Sequence, residues 1–198
     1  MVDDKVYLTL YRFYVCPGEL VHKEYWSLCE LNDWHDDYFT YPVLRPRIDS
    51  LFRQRLQWEW HDRGNCLTEY QRQWIQWMPK LPAILTSLGI MSLNNAEYFV
   101  LGQFRRVLVD LLGDITVNQL SVLCQGENKE SIISADQLPG FAFTLGVQIY
   151  SQIVGDDWVG KMIIHTLPPL DVCEDVQLLS QSELEAMNAM LVRLERFI

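Results

Sequence analysis

The fold is decided by the stretch Arg72-Gln-Trp-Ile-Gln-Trp-Met-Pro-Lys-Leu-Pro-Ala-Ile-Leu-Thr-Ser-Leu-Gly89, followed further along by Leu101-Gly-Gln-Phe-Arg-Arg106. Trp74 and Trp77 lie one helical turn apart, and the two prolines after them end one helix before the next begins. The stretch holds no catalytic nucleophile, no set of metal ligands and no phosphate-binding loop. We therefore expect it to form a helical packing scaffold.

The size and composition of the chain predict a self-sufficient core. It has 198 residues, of which 49% are hydrophobic and 12% aromatic. A chain of this length usually forms one domain and buries about 70% of its unfolded surface. We predict one all-α (mainly α) domain of short helices over residues 1–198. Its expected parts are an extended arm at 1–16, a helical core at 17–165, a Pro-rich linker at 166–179 and a C-terminal amphipathic helix at 180–198.

The formal net charge of −10 limits the classes of partner. Duplex DNA and anionic membrane surfaces attract basic proteins, so we expect no nucleic-acid partner and no membrane partner. The segment 42–80 is mildly basic between acidic ends. It is either a solvated helix face or a docking face for an acidic protein.

The cysteines and the N-terminal residues indicate in which cellular compartment the protein is expected. The five cysteines include no Cys-x-x-Cys pair, which favours a reducing environment. They are Cys16, Cys29, Cys66, Cys124 and Cys173. The acidic start Met1-Val-Asp-Asp does not fit a signal peptide, and no apolar run reaches the roughly 18 residues of a membrane span. We therefore expect a cytoplasmic protein without direct membrane insertion.

Sequence patterns predict the elements of the N-terminal part. Val6–Val15 is rich in β-branched and aromatic residues, which favours a strand or an extended arm. A helix is predicted from Glu19 to Leu31, a loop from Asn32 to Pro46, and a long helix from Arg47 to Gly64. The predicted buried face of the long helix is Ile48, Leu51, Phe52, Leu56 and Trp60.

Glycines predict the ends of the central helices, because a glycine takes the left-handed position after a helix without steric cost. The expected ends are Gly64, Gly89, Gly102, Gly113 and Gly126. Thr116 is predicted to be the N-cap of the run that ends near Gly126. Residues 139–154 are nearly all apolar, which favours a buried helix, although their alternation also permits a strand.

Capping patterns predict the last two helices. Asp156-Asp157 is expected to begin one, and Ser180-Gln-Ser-Glu183 is a capping box that begins the other. The final helix then repeats apolar residues three and four positions apart, at Leu184, Met187, Leu191, Leu194 and Ile198. This seam fits one neighbouring helix, either in the same chain or in a partner.

The sequence contains no motif for nucleotide binding, zinc proteolysis or serine hydrolysis. We therefore expect no enzyme activity, no cofactor and no metal. His35-Asp36-Asp37, with Glu30 and Asp33 nearby, is interpreted as a solvated acidic loop. The alternative on chemical grounds is a hydrolase that pairs Cys66 with His61.

Tryptophan and arginine, which are enriched at interface hot spots, concentrate in the mildly basic segment. Trp58 and Trp60 lie about 200° apart on a helix and cannot both face one core. The candidate partner-binding residues are Arg53, Arg55, Trp58, Trp60, Arg63, Arg105, Arg106, Leu184, Met187, Leu191 and Leu194. The other interpretation is that the tryptophans all pack in the core.

Several of these features resemble a known family. They are Arg72-x-Trp74, Leu81-Pro82, Leu88-Gly89, Gly102-Gln103 and the opening Val15-Cys-Pro-Gly-Glu-Leu-Val-His22. In these the chain resembles the accessory cytosolic sorting-platform proteins of bacterial type III secretion systems, the SctK/YscK/OrgA family. The resemblance covers residues 11–31 and 67–113.

This resemblance implies a helical, non-enzymatic adaptor at the cytoplasmic base of the secretion system, peripheral to the inner membrane. Its implied partners are the cytosolic domain of the inner-membrane ring protein, the C-ring-like pod protein and the stator. It implies a role in protein transport and virulence through protein–protein interaction. The alternative within the same class is a secretion chaperone or regulator that binds an exported or partner helix through the C-terminal seam.

Overall fold

The computed structural model describes residues 2–58, 67–126, 133–169 and 178–198. The regular structure in these ranges is helical and contains no strand, which confirms the all-α prediction. The chain divides into two compact units. Unit 1 comprises Met1–Met78 and Gly155–Asp171, and unit 2 comprises Pro79–Val154 and Val172–Ile198. The single domain proposed from the sequence stays a prediction.

The α-helices of the described residues are short. They are α1 Val2–Val15, α2 Lys23–Leu28, α3 His35–Thr40, α4 Arg45–Arg55, α5 Glu69–Trp77, α6 Leu81–Leu93, α7 Glu97–Val100, α8 Gly102–Leu112, α9 Asp114–Leu123, α10 Leu138–Val154, α11 Trp158–Ile164 and α12 Gln181–Leu194. Single 3₁₀ turns occur at Pro17–Glu19, Asn32–Trp34, Pro42–Leu44 and Met78–Lys80.

The extended arm predicted at 1–16 is wrong, because α1 is a helix. Val6, Leu10 and Phe13 repeat at the spacing of one helical face, and all three are buried. The β-branched and aromatic residues of the segment suggested extended backbone, but burial of this face favours the helix. α1 packs against α4 and α5 in unit 1.

The boundaries predicted for residues 19–64 also change. The helix expected from Glu19 is only α2, which starts at Lys23 after the His22 N-cap. The expected loop from Asn32 to Pro46 contains α3 and two 3₁₀ turns. Pro46 lies in the first turn of α4. A backbone N–H in this turn has no partner within the helix, so a proline is tolerated there and α4 begins before it. α4 ends at Arg55, and the predicted end at Gly64 lies outside the described residues, as does Trp60.

The centre of unit 2 is a contact between the backbones of α6 and α10. A Cβ atom added to Gly89 would lie 1.8 Å from the carbonyl oxygen of Ala142. In the reverse direction, a Cβ on Gly146 would lie 1.9 Å from the carbonyl oxygen of Leu85. The pairing of 85 with 146 and of 89 with 142 makes the two helices antiparallel.

This contact explains why the helix end predicted at Gly89 is wrong. α6 passes through Gly89 and ends at Leu93, where Asn94 takes the left-handed conformation with φ of 45°. Leucine followed by glycine is typical of a helix end, but it also suits a helix interior where another backbone comes close. Gly89 serves the second purpose.

Among the other boundaries predicted between residues 102 and 126, one is confirmed and the rest are wrong. Gly113, with φ of 83°, follows α8 as predicted, whereas Gly102 begins α8 after the short helix α7. Thr116 is not the N-cap of α9, because Gly113 holds that position and Thr116 is buried inside the helix. The Thr116 hydroxyl instead donates to the carbonyl oxygen of Phe197 at 3.3 Å. α9 ends at Leu123, three residues before Gly126.

The predicted starts of the last helices are confirmed, but α12 ends at Leu194, so the predicted seam residue Ile198 lies beyond the helix. Residues 139–154 form a helix, α10, and not a strand. Asp157 accepts hydrogen bonds from the backbone nitrogens of Val159 and Gly160 at the start of α11. Ser180 and Glu183 form the capping box of α12. Of the linker predicted at 166–179, the structure describes only residues 166–169 and 178–179.

The backbone contact at Gly89 and Gly146 makes a testable prediction. Gly89→Ala or Gly146→Ala should lower the free energy of unfolding by about 3 kcal/mol, because the added methyl group meets a backbone oxygen and the helices must separate. Urea denaturation followed by circular dichroism measures the change.

Gly140→Ala is the matched control for these variants, because a Cβ on Gly140 meets no atom within 4 Å. Alanine in place of this α10 glycine should be neutral or stabilising by up to about 1 kcal/mol. Equal unfolding midpoints for Gly89→Ala and Gly140→Ala would show that the helices do not approach as closely as described.

Candidate protein-interaction surfaces

Arg53 connects two helices inside unit 1. It lies in the last turn of α4, where the helix dipole favours a cation. Its guanidinium donates a hydrogen bond to the carbonyl oxygen of Tyr14 and lies over the Tyr14 ring, 5.2 Å from the ring centroid. Arg53 therefore joins α4 to the end of α1, and its use in partner binding stays a prediction.

Arg55 differs from Arg53, although both belong to the last turn of α4. Its side chain is exposed and lies 3.7 Å from the carboxylate of Glu30, which is itself exposed. Exposed ion pairs of this kind contribute little to stability, typically under about 1 kcal/mol. Arg55 is therefore available to a partner carboxylate. Two other candidates, Trp60 and Arg63, lie outside the described residues.

Trp58 is a structural residue in the described fold. Its indole Nε1 donates to Nδ1 of His165 at 2.9 Å, and its ring meets Phe13 edge-on at 5.8 Å. The backbone nitrogen of His22 donates to the carbonyl oxygen of His165 at 2.8 Å. Burial lowers the pKa of His165 to about 4, so the imidazole is neutral near pH 7 and its Nδ1 can accept the hydrogen bond from the indole.

A buried carboxylate that the sequence analysis did not identify organises the start of α4. Oδ1 of Asp49 accepts hydrogen bonds of 3.0 Å from the backbone nitrogen of Gly18 and from the Tyr38 hydroxyl. Burial raises the pKa of Asp49, and these two hydrogen bonds oppose the rise. Arg45 lies over the Tyr38 ring and donates to the Tyr38 carbonyl oxygen at 3.1 Å.

A cavity of about 420 Å³ opens beside Asp49. It is lined by Tyr14, Val15, Cys16, Pro42, Arg45, Pro46, Asp49 and Arg53. The three charged residues of this lining already bind groups within unit 1. The cavity walls therefore have a structural role, and no sequence motif marks them because their partners are distant in the chain.

The adjacent arginines of α8 have different environments. Arg105 donates from Nη2 to Asp114 Oδ1 and to Asn118 Oδ1, both at 2.8 Å, and so ties α8 to α9. Arg106 is exposed and has no ion-pair or hydrogen-bond partner among the residues described. Arg106 is thus the member of the pair that is free to bind another protein.

The C-terminal seam is used partly within unit 2. Leu191 and Leu194 are completely buried, and α12 packs against α6 and α10. Met187 and Leu184, one and two turns before Leu191, remain partly exposed. The two buried leucines support docking of the helix on its own chain, and binding of a partner by the seam stays a prediction.

The described residues give no support to cysteine or metal chemistry. Burial raises the pKa of Cys16 and of Cys29, which is opposite to the shift that activates a nucleophilic thiol. Cys66 and His61, the pair considered for a hydrolase, lie outside the described residues. Within the described ranges, no group of three or more histidine, cysteine or acidic side chains is arranged to hold a metal ion.

Comparison with known proteins gives one family. A family profile described as "Type III secretion system subunit" matches residues 8–169. No curated protein and no solved structure matches the chain. Among the described helices, none is long and apolar enough to cross a membrane.

Burial of the His165 imidazole makes unit 1 sensitive to acid. The unfolded chain takes up a proton near the ordinary histidine pKa of 6.5, whereas the folded imidazole resists it down to about 4. The stabilising contribution of the neutral His165 is therefore complete above pH 6.5 and is lost as the pH falls towards 4, by up to about 3 kcal/mol.

The variant His165→Gln tests this assignment, because glutamine keeps a hydrogen-bond acceptor without titrating. Its free energy of unfolding in urea should depend less on pH in this window than that of the wild type, and equal pH slopes would contradict the assignment.

Proposed function

Since the chain belongs to the type III secretion system subunit family, we propose that it is a non-enzymatic adaptor of the cytosolic sorting platform. In this proposal it is a member of the SctK/YscK/OrgA group. It links the cytosolic domain of the inner-membrane ring protein to the C-ring-like pod protein, with the stator as a further neighbour. Its place is then cytoplasmic, at the inner face of the membrane.

The observation that carries this proposal is the extent of the family match. Residues 8–169 include most of α1 and every described helix from α2 to α11, so the match covers helices of both units. The finer assignment rests on the sequence resemblance at residues 11–31 and 67–113.

Each unit offers an exposed arginine that suits a protein contact. Arg55 lies on α4 of unit 1, and Arg106 lies on α8 of unit 2. An adaptor needs at least two contact surfaces, and a cation in each unit can recognise a carboxylate on a different partner. Arg53 and Arg105 are less suitable probes, because their charges bind groups within the fold.

Binding of the two proposed partners tests the function directly. The full chain is mixed separately with the purified cytosolic domain of the ring protein and with the purified pod protein. Size-exclusion chromatography with light scattering should detect a complex with each, and a ternary complex when all three are present. If the chain fails to bind the ring protein's domain, or fails to bind the pod protein, the adaptor proposal is overturned.

Charge reversal of the exposed arginines should weaken these complexes without unfolding the chain. Arg55→Glu and Arg106→Glu are each expected to lower the affinity for one partner about tenfold, or ~1.4 kcal/mol, measured by calorimetry. Lys23→Glu and Arg193→Glu are matched controls, because both residues are exposed and the change in net charge is the same. An equal loss in the controls would show that overall charge, and not these two positions, governs binding.

A further inference from the structure

An apolar pocket on the surface of unit 1 has no role in the contacts described above. It has a volume of about 320 Å³ and is lined by Trp34, Leu44, Arg47, Ile48 and Leu51. We call it the α4 pocket. Four of its five lining residues are apolar, and the fifth is an arginine. This composition, an aromatic and aliphatic hollow with one guanidinium, is typical of the anchor sites in protein interfaces.

The floor of the α4 pocket is part of the core of unit 1. Ile48 is buried in the same cluster as Trp26 and Phe52, and Leu44 and Leu51 pack against that cluster. The Trp26 ring meets Phe52 edge-on at 4.8 Å. Because its walls are fixed by core packing, the pocket is formed before any partner binds, and little ordering entropy is lost on binding.

The segment that supplies Trp34 and Leu44 to the α4 pocket exposes large apolar groups to solvent. Trp34 is 48% exposed, and Val43, which precedes the lining residue Leu44, is 89% exposed. Phe39 and Tyr41 in the same segment are also exposed. Single exposed apolar residues are ordinary, but several in one short segment that also supplies lining residues of a pocket indicate a contact site.

Arg47 gives the pocket its charge. It is exposed and has no ion-pair or hydrogen-bond partner within the described part of the chain. It also lies in the first turn of α4, where the helix dipole disfavours a cation, and no side chain caps this helix start. Arg47 therefore does not stabilise α4. The Arg47 guanidinium is available to a carboxylate.

We propose that the α4 pocket binds an acidic amphipathic helix of another secretion-system subunit, an inference that rests on the proposed function. A leucine or aromatic side chain of that helix fills the hollow between Trp34 and Leu51. An aspartate or glutamate three or four residues away binds Arg47. This spacing follows from the pocket, because Arg47 and Leu51 are themselves one helical turn apart.

Photocrosslinking locates the partner of the pocket. p-Benzoylphenylalanine replaces Val43 in the full chain, in cells that assemble the secretion system, and crosslinked peptides are identified by mass spectrometry. The expected product joins Val43 to a helix of another secretion subunit that carries an apolar and an acidic residue three or four positions apart. A crosslink to a second copy of this chain, to a segment without an acidic residue, or no crosslink at all would overturn the proposal.

Substitution of Arg47 tests the charge. Arg47→Glu should lower the affinity for the crosslinked partner at least tenfold, Arg47→Gln less, and Arg47→Lys least. Arg47 is exposed and unpaired, so circular dichroism should show an unchanged fold, and Lys23→Glu controls for net charge. Exchange of the partner's acidic residue for arginine should restore binding to Arg47→Glu. Unchanged affinity for Arg47→Glu would exclude the pocket.

The two proposals fail in different ways. If the wild type binds the ring and pod proteins but the Arg47 variants bind them equally well and Val43 gives no crosslink, the pocket inference is wrong and the adaptor function stands. If the wild type binds neither protein, the adaptor function is wrong. A Val43 crosslink to a different secretion subunit through an apolar and acidic pair would then still support the pocket.

Discussion

The direct contact between the backbones of α6 and α10 is the constraint on which unit 2 depends. Gly89 and Gly146 each face a carbonyl oxygen of the opposite helix, so neither position tolerates a side chain without separation of the helices. At this distance the larger side chains of both helices must pack to the sides of the contact. α6 is consequently buried all round from Ile84 to Ile90, and α12 adds Leu191 and Leu194 to the same core.

Unit 1 is held together by different means. Its core is aromatic, with Trp26 edge-on to both Tyr38 and Phe52. The Tyr38 hydroxyl brings a polar group into this core, and Asp49 accepts hydrogen bonds from that hydroxyl and from the Gly18 backbone nitrogen. A buried carboxylate without such donors would be strongly destabilising. The 3₁₀ turn at residues 17–19, α3 and α4 are therefore positioned together by one side chain.

Two helix caps of this fold are visible in the sequence, whereas its contacts between distant residues are not. The caps at Asp157 and Ser180 lie within a few residues of their acceptor or donor partners, so their patterns are visible in the chain. The partners of Arg53 and Trp58 are 39 and 107 residues away, and nothing in the local sequence identifies them. Gly89 shows the same limit, because one dipeptide serves a helix end and a helix crossing equally well.

The basic segment illustrates why composition alone does not locate a binding surface. Arg45 and Arg53 bind backbone carbonyl oxygens and aromatic rings, so their charges are largely used in folding. Arg47 and Arg55 lie on the same helix, yet both remain exposed. Arg45 and Arg53 already bind groups of their own chain, whereas Arg47 and Arg55 remain hydrated and can still gain free energy from a partner carboxylate. The helix thus separates, by the direction of each side chain, arginines that build the unit from arginines that can recognise another protein.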